Sequence, residues 1–171
     1  MARMAKSAKN YAMVSLIMRI LAAILLALSI TLLVTNTTKF VDGNGEINTA
    51  TFKDVYAFRY LLVGSAIGLA YNVLQLVPAI FLIVTRKFLL PNPFGLYFNF
   101  IADQVIGYLL ASSGSAALAV AMEFKRFSNE NGVKEFDRFF LKAEASAALT
   151  LVATLGMIVL SIISARFLFK D

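Results

Sequence analysis

Four stretches of this chain are long and apolar enough to cross a lipid bilayer: Tyr11 to Thr35, Phe58 to Thr85, Phe94 to Met122 and Phe139 to Phe169. A spanning helix needs about 20 mostly apolar residues. The segments between the four are polar, hold most of the charges and leave no room for a soluble domain. The economical fold is an all-α membrane protein in which residues 1–171 form one domain, an up-down-up-down bundle of four transmembrane helices.

Composition agrees. The chain is 60% hydrophobic and only 15% charged, with a mean hydropathy of +0.78; soluble domains are about 45–50% apolar and about 25% charged. Its net charge of +6 suits anionic lipid headgroups, and nucleic acid is not an expected partner. Cys, His and Trp are all absent. That removes disulfides, thiolate metal sites, thiol nucleophiles and the usual general acid–base. No enzyme activity, cofactor or metal is expected. Arg3, Lys6 and Lys9 ahead of the first run resemble the charged start of a signal peptide. The run is too long for one and has no Ala-x-Ala cleavage site, so it reads as a retained span.

The charges sort by side. Arg3, Lys6, Lys9, Arg86, Lys87, Arg166 and Lys170 share the side of the N-terminus with one acid, Asp171. On the other side the basic and acidic residues balance. By count of Lys and Arg the two sides nearly tie, and the unopposed cluster before the first span favours cytosolic termini. Pro91 and Pro93 predict a tight turn between the second and third spans. In the first outer loop, Lys39-Phe40-Val41 and Ile47 to Phe52 flank Asp42-Gly43-Asn44-Gly45, which reads as a small β-hairpin or a flexible loop. Asn36-Thr37-Thr38 is a glycosylation sequon at the membrane boundary and is expected to stay unmodified.

Two opposite charges lie within the spans, Arg19 in the first and Asp103 in the third. An ionised side chain at the bilayer centre costs about 2.5–3.5 kcal/mol on insertion scales, so each needs a partner or a route to water. Both sit roughly 12–14 Å from the same end of their helices. They either pair directly, locking the first helix against the third, or Arg19 snorkels to the headgroups and Asp103 is protonated. Small and polar residues mark close approach elsewhere: Gly64, Gly68, Asn72, Gln75 and Ala79 in the second span, with a GxxxG motif. The third carries Asn99, Asp103, Gly107, Ala111 and Ser115, and the fourth Ser146, Thr150, Ala153 and Ser164. These serve packing inside the bundle or against another subunit. Pro78 predicts a bend in the second helix, with Asn72 or Gln75 satisfying nearby carbonyls. The polar residues are too few to suggest an ion conduit. Aromatics near the boundaries, including Phe52, Tyr56, Phe58, Tyr60, Phe136, Phe139 and Phe140, read as an interfacial belt.

Asp103-Gln104-Val105-Ile106-Gly107-Tyr108-Leu109-Leu110-Ala111-Ser112-Ser113-Gly114-Ser115-Ala116-Ala117 resembles the third span of the plant Casparian strip membrane protein-like (CASP-like) family. Phe58-Arg59-Tyr60, Ala70-Tyr71-Asn72-Val73-Leu74-Gln75, Arg19, and Ser146-Ala147-Ala148-Leu149 through Ser164 extend the resemblance over nearly the whole chain. It implies a four-span plasma-membrane protein, distantly MARVEL-related, that associates with itself or with relatives into membrane scaffolds. In the members that build the Casparian strip, the assembly recruits wall-modifying enzymes. This chain lacks the outer-loop Cys of those members, which points to the broader CASP-like group. The competing function is an accessory subunit tuning a channel, transporter or wall-synthesising enzyme. Expected partners are therefore the bilayer, further copies or relatives, or one larger membrane protein.

Overall fold

The computed structural model describes residues 2–41, 46–85, 94–130 and 136–168. Four helices dominate: α1 (Ala2–Val34), α2 (Tyr56–Thr85), α3 (Phe94–Glu130) and α4 (Asp137–Leu168). All four contain segments long and apolar enough to cross a membrane. Helices are what such segments must form, because lipid offers no partner to an unpaired backbone group. Two of them outrun the apolar stretches. α1 begins at Ala2 rather than near Tyr11, and α3 continues to Glu130 rather than stopping at Met122. Hydropathy marks where the lipid ends, and a helix can continue into water beyond it.

Each helix packs against its chain neighbour and α4 closes the ring onto α1, while α2 and α4 touch only sparsely across the diagonal. The up-down order places the termini of the helical array at one end and the long α1–α2 connection at the other. There β1 (Thr37–Val41) and β2 (Ile47–Thr51) form an antiparallel hairpin, with Thr37 opposite Thr51 and Val41 opposite Ile47. A hairpin, not an irregular loop, thus leads from α1 to α2. The Asp42–Gly45 turn and the Pro91/Pro93 connection fall outside the described residues. A 3-10 turn (Phe52–Asp54) joins β2 to α2. Asp54 Oδ2 accepts from the Thr51 amide at 2.7 Å and from Thr51 Oγ1 at 3.0 Å. These bonds, the backbone one foremost, hold the Asp54 carboxyl below its ordinary 3.8.

Several of the boundary aromatics do not form a belt. Phe52, Phe58, Phe139 and Phe140 are buried, in a cluster with Leu33, Leu61, Ala117, Ala121, Ala143 and Ala147. Phe139 meets Phe140 edge-on with centroids 5.3 Å apart, and Phe124 stacks on Phe140 at 5.6 Å. Small Ala on α3 and α4 leaves room for these rings, so they plug the hairpin end of the bundle. Tyr56 and Tyr60 remain exposed, as a belt residue should. A second apolar cluster, Ala22, Leu26, Leu110, Ala153, Met157 and Leu160, fills the middle.

Asn36 is buried, and its amide donates to the Phe139 carbonyl at 2.8 Å, tying the end of α1 to the start of α4. The nitrogen that glycosylation would use is therefore turned into the protein.

Candidate functional site: a polar network inside the bundle

Arg19 and Asp103 are 2% and 1% exposed, so both charges are withdrawn from lipid and from water. Arg19 projects from α1 across the diagonal, and its Nη2 donates to both carboxylate oxygens of Asp103 at 3.0 Å. Arg19 Nε lies 3.4 Å from Ser15 Oγ, one turn back on α1. Tyr71 of α2 supplies the third side. Its hydroxyl donates to Asp103 Oδ1 at 2.6 Å, and its ring lies under the guanidinium, 5.5 Å from Cζ. One tyrosine thus meets both charges, through a hydrogen bond to the anion and a ring face to the cation.

The network continues toward the terminal end. Gln75 Nε2 lies 3.4 Å from Tyr71 Oη and donates to Asn99 Oδ1 at 3.0 Å. α1, α2 and α3 are thereby joined through polar side chains, and Gln104 Nε2 adds α4 by donating to Ser161 Oγ at 2.9 Å. Two buried atoms of this region, Arg19 Nη1 and Asn72 Oδ1, have no hydrogen-bond partner among the described residues.

A second polar knot lies nearer the hairpin. Ser29 Oγ is 2.9 Å from Ser146 Oγ and 2.8 Å from Thr150 Oγ1, and Ser65 Oγ is 3.1 Å from Thr150 Oγ1. All four residues are buried. Ser146 and Thr150 stood out in the sequence as members of a spaced stripe. Ser29 and Ser65 did not, because a single Ser in an apolar run can equally bond its own helix backbone.

The glycines of the second span are spent inside the molecule. A Cβ on Gly64 would fall 2.5 Å from Ser113 Oγ, and one on Gly68 would fall 2.9 Å from Leu110 Cδ2 and 3.2 Å from Leu26 Cδ1. The GxxxG motif therefore brings α2 against α3 and α1. Asn72 donates to the Gly68 carbonyl at 2.8 Å. Asn72 thus satisfies a nearby carbonyl, as the sequence suggested, although the carbonyl that Pro78 deprives of its in-helix donor belongs to Leu74, and Gln75 donates to a side chain instead.

The third-span stripe is redrawn by the structure. Asp103 and Gly107 are buried, with Gly107 facing Met157, but Ala111 is half-buried and Ser115 is exposed and returns its hydroxyl to the Ala111 carbonyl. A strict four-residue step rotates about 40° per step around a 3.6-residue helix, so Ser115 has turned about 120° from Asp103. The buried seam instead alternates steps of four and three: Asp103, Gly107, Leu110, Gly114, Ala117, Ala121.

At the hairpin end, a half-open pocket of about 310 Å³ lies between Ala50 to Val55 and the rings of Phe124, Phe127, Phe136, Phe139 and Phe140. Its exposed walls are almost wholly apolar, although Thr51, Asp54 and Ser128 also border it, so it offers shape more than polar chemistry. Among the described residues, no three His, Cys, Asp or Glu side chains are grouped to hold a metal ion.

Four membrane-length helices clasped by a buried ion pair, with their polar side chains bonded to one another, define a polytopic integral membrane protein. Within that class the family is identified by sequence. Residues 8–156 match the Casparian strip membrane protein domain, and the chain belongs to that family. It is 37% identical to CASP-like protein 4D1 of Ricinus communis over 93% of both chains. It is 34% identical to CASP-like protein 4D2 of Arabidopsis thaliana, over 91% of this chain and 89% of that one. CASP-like protein UU3 of Physcomitrium patens shares 28% identity over 95% of this chain and 80% of its own. No solved structure matches the chain significantly.

Proposed function

We propose that this protein is a non-enzymatic scaffold of the plasma membrane, which self-associates, alone or with relatives, and organises partner proteins, with its termini in the cytosol and its hairpin outside. The observation that carries this reading is where the polar side chains go. Arg19, Asp103, Tyr71, Gln75 and Asn99 bond one another, which stiffens the bundle and leaves little of that chemistry for a substrate. A catalytic site keeps perturbed groups facing a cleft; here they face each other. The names of the relatives, CASP-like proteins 4D1 and 4D2, are not enzyme names.

Extraction in mild detergent followed by a native mass measurement tests the proposal. A particle containing several copies of the 18.7 kDa chain is the expected result. A lone monomer would overturn self-association. A single copy held by one larger membrane protein would reassign the chain as an accessory subunit.

A further inference from the structure

The exposed wall of α3 differs in kind from those of α1 and α4. Within the spans, the large exposed side chains of α1 and α4 are aliphatic. On α3 the exposed face carries Tyr108, Ser112, Ser115 and Ala119, in steps of four, three and four. Tyr108 is 72% exposed, and its hydroxyl has no hydrogen-bond partner among the described residues. It lies about 16 Å along the helix from Tyr97, at the start of the apolar segment. Ser112, the next turn toward the hairpin, is already satisfied by Tyr60 at 2.7 Å. Ser115 is satisfied by its own backbone. Tyrosine is at home in the headgroup belt, where its hydroxyl meets water. Tyr108 is too deep for that, and an unpaired hydroxyl in hydrocarbon is unfavourable.

We infer that this face of α3 docks on the same face of a second copy, across a two-fold axis along the bilayer normal, with the two Tyr108 hydroxyls bonding each other across the seam. The inference rests on the self-association reading and assigns it a place. A second copy fits better than an unrelated helix because a phenol both donates and accepts, so the identical group on the same level is its own complement. The face bears no formal charge that would repel its twin. Ser115 and Ala119, one turn apart and small, let the two backbones approach above the tyrosines. The glycines that would otherwise be the obvious dimer motif are occupied within the bundle.

The chain has no cysteine, so single-cysteine variants report proximity without background. Disulfides form only where Cα atoms come within about 7 Å. Ser115→Cys and Ala119→Cys, oxidised in lipid vesicles, should give crosslinked dimers. Val77→Cys on α2 and Leu155→Cys on α4, both exposed, should give at least fivefold less. Tyr108→Phe in the Ser115→Cys background keeps the ring and should lower the crosslinked fraction at least threefold at a fixed protein-to-lipid ratio. Crosslinking that favours Val77→Cys or Leu155→Cys would overturn the α3 face while leaving self-association standing. No crosslinking at any position, with a monomeric native mass, would sink both. An unchanged dimer fraction in Tyr108→Phe would refute the role of the hydroxyl.

Discussion

Replacing Asp103 by Asn removes the negative charge with almost no change of volume, and the structure fixes what is left behind. Arg19 is 2% exposed, and its Nη2 gives both of its hydrogen bonds to the carboxylate. Tyr71 loses a charged acceptor at 2.6 Å. Breaking a buried ion pair from one side costs about 3–5 kcal/mol, because the surviving charge stays desolvated and uncompensated. That is roughly a 10²–10⁴-fold shift in the unfolding equilibrium. Arg19→Met should cost somewhat less, because the carboxylate left behind can take up a proton. The double variant Arg19→Met/Asp103→Leu is the decisive case. It leaves no charge to strand, and replacement of a buried pair by apolar residues of similar size is often neutral or stabilising. Reversible unfolding in detergent or bicelles, followed by far-ultraviolet circular dichroism, measures all three. With the single variant Asp103→Leu measured beside them, the double variant should be more stable than Asp103→Asn or Asp103→Leu, and the cycle through Arg19→Met and Asp103→Leu should be strongly non-additive. The reasoning fails if Asp103→Asn matches the native protein, or if the double variant loses the sum of the two single losses.

Two further outcomes follow from local geometry. Gly64→Val should destabilise the bundle by about 1–3 kcal/mol through overpacking against Ser113, and adding Ser113→Gly should recover much of that loss in the same unfolding assay. Asp54 has a depressed carboxyl value. Its contribution is therefore complete above the ordinary carboxylate range and fades as the pH falls through that lowered value. The Thr51 amide proton resonance should titrate with a midpoint below 3.8 and lose this transition in Asp54→Asn.

The number of spans and the residues flanking the hairpin turn were legible because their causes are local. About 20 apolar residues in a row mean a spanning helix wherever they occur, and Asp42 to Gly45 between two β-prone arms suggests a turn without help from the rest of the chain. Arg19 and Asp103 stood out for a similar reason, since a charge among aliphatic residues is conspicuous in one dimension. Their roughly equal depth followed from counting residues along helices that run the same way.

Direction around each helix was not legible, and most of the site depends on direction. In a soluble protein the buried face announces itself by being apolar, whereas lipid is as apolar as the core, so the two sides of a spanning helix look alike. For that reason Phe58 and Phe139 read as belt residues but fill the bundle, and Ser115 read with Asp103 but faces away from it. Ser29 and Ser65 joined Thr150 unannounced. The sequence by itself determined how many segments can cross a bilayer, where the hairpin arms lie and which side chains lipid would refuse. Only the tertiary structure decided which of those side chains meet, because partners such as Tyr71 and Asp103 are brought together by the rotation of one helix against another.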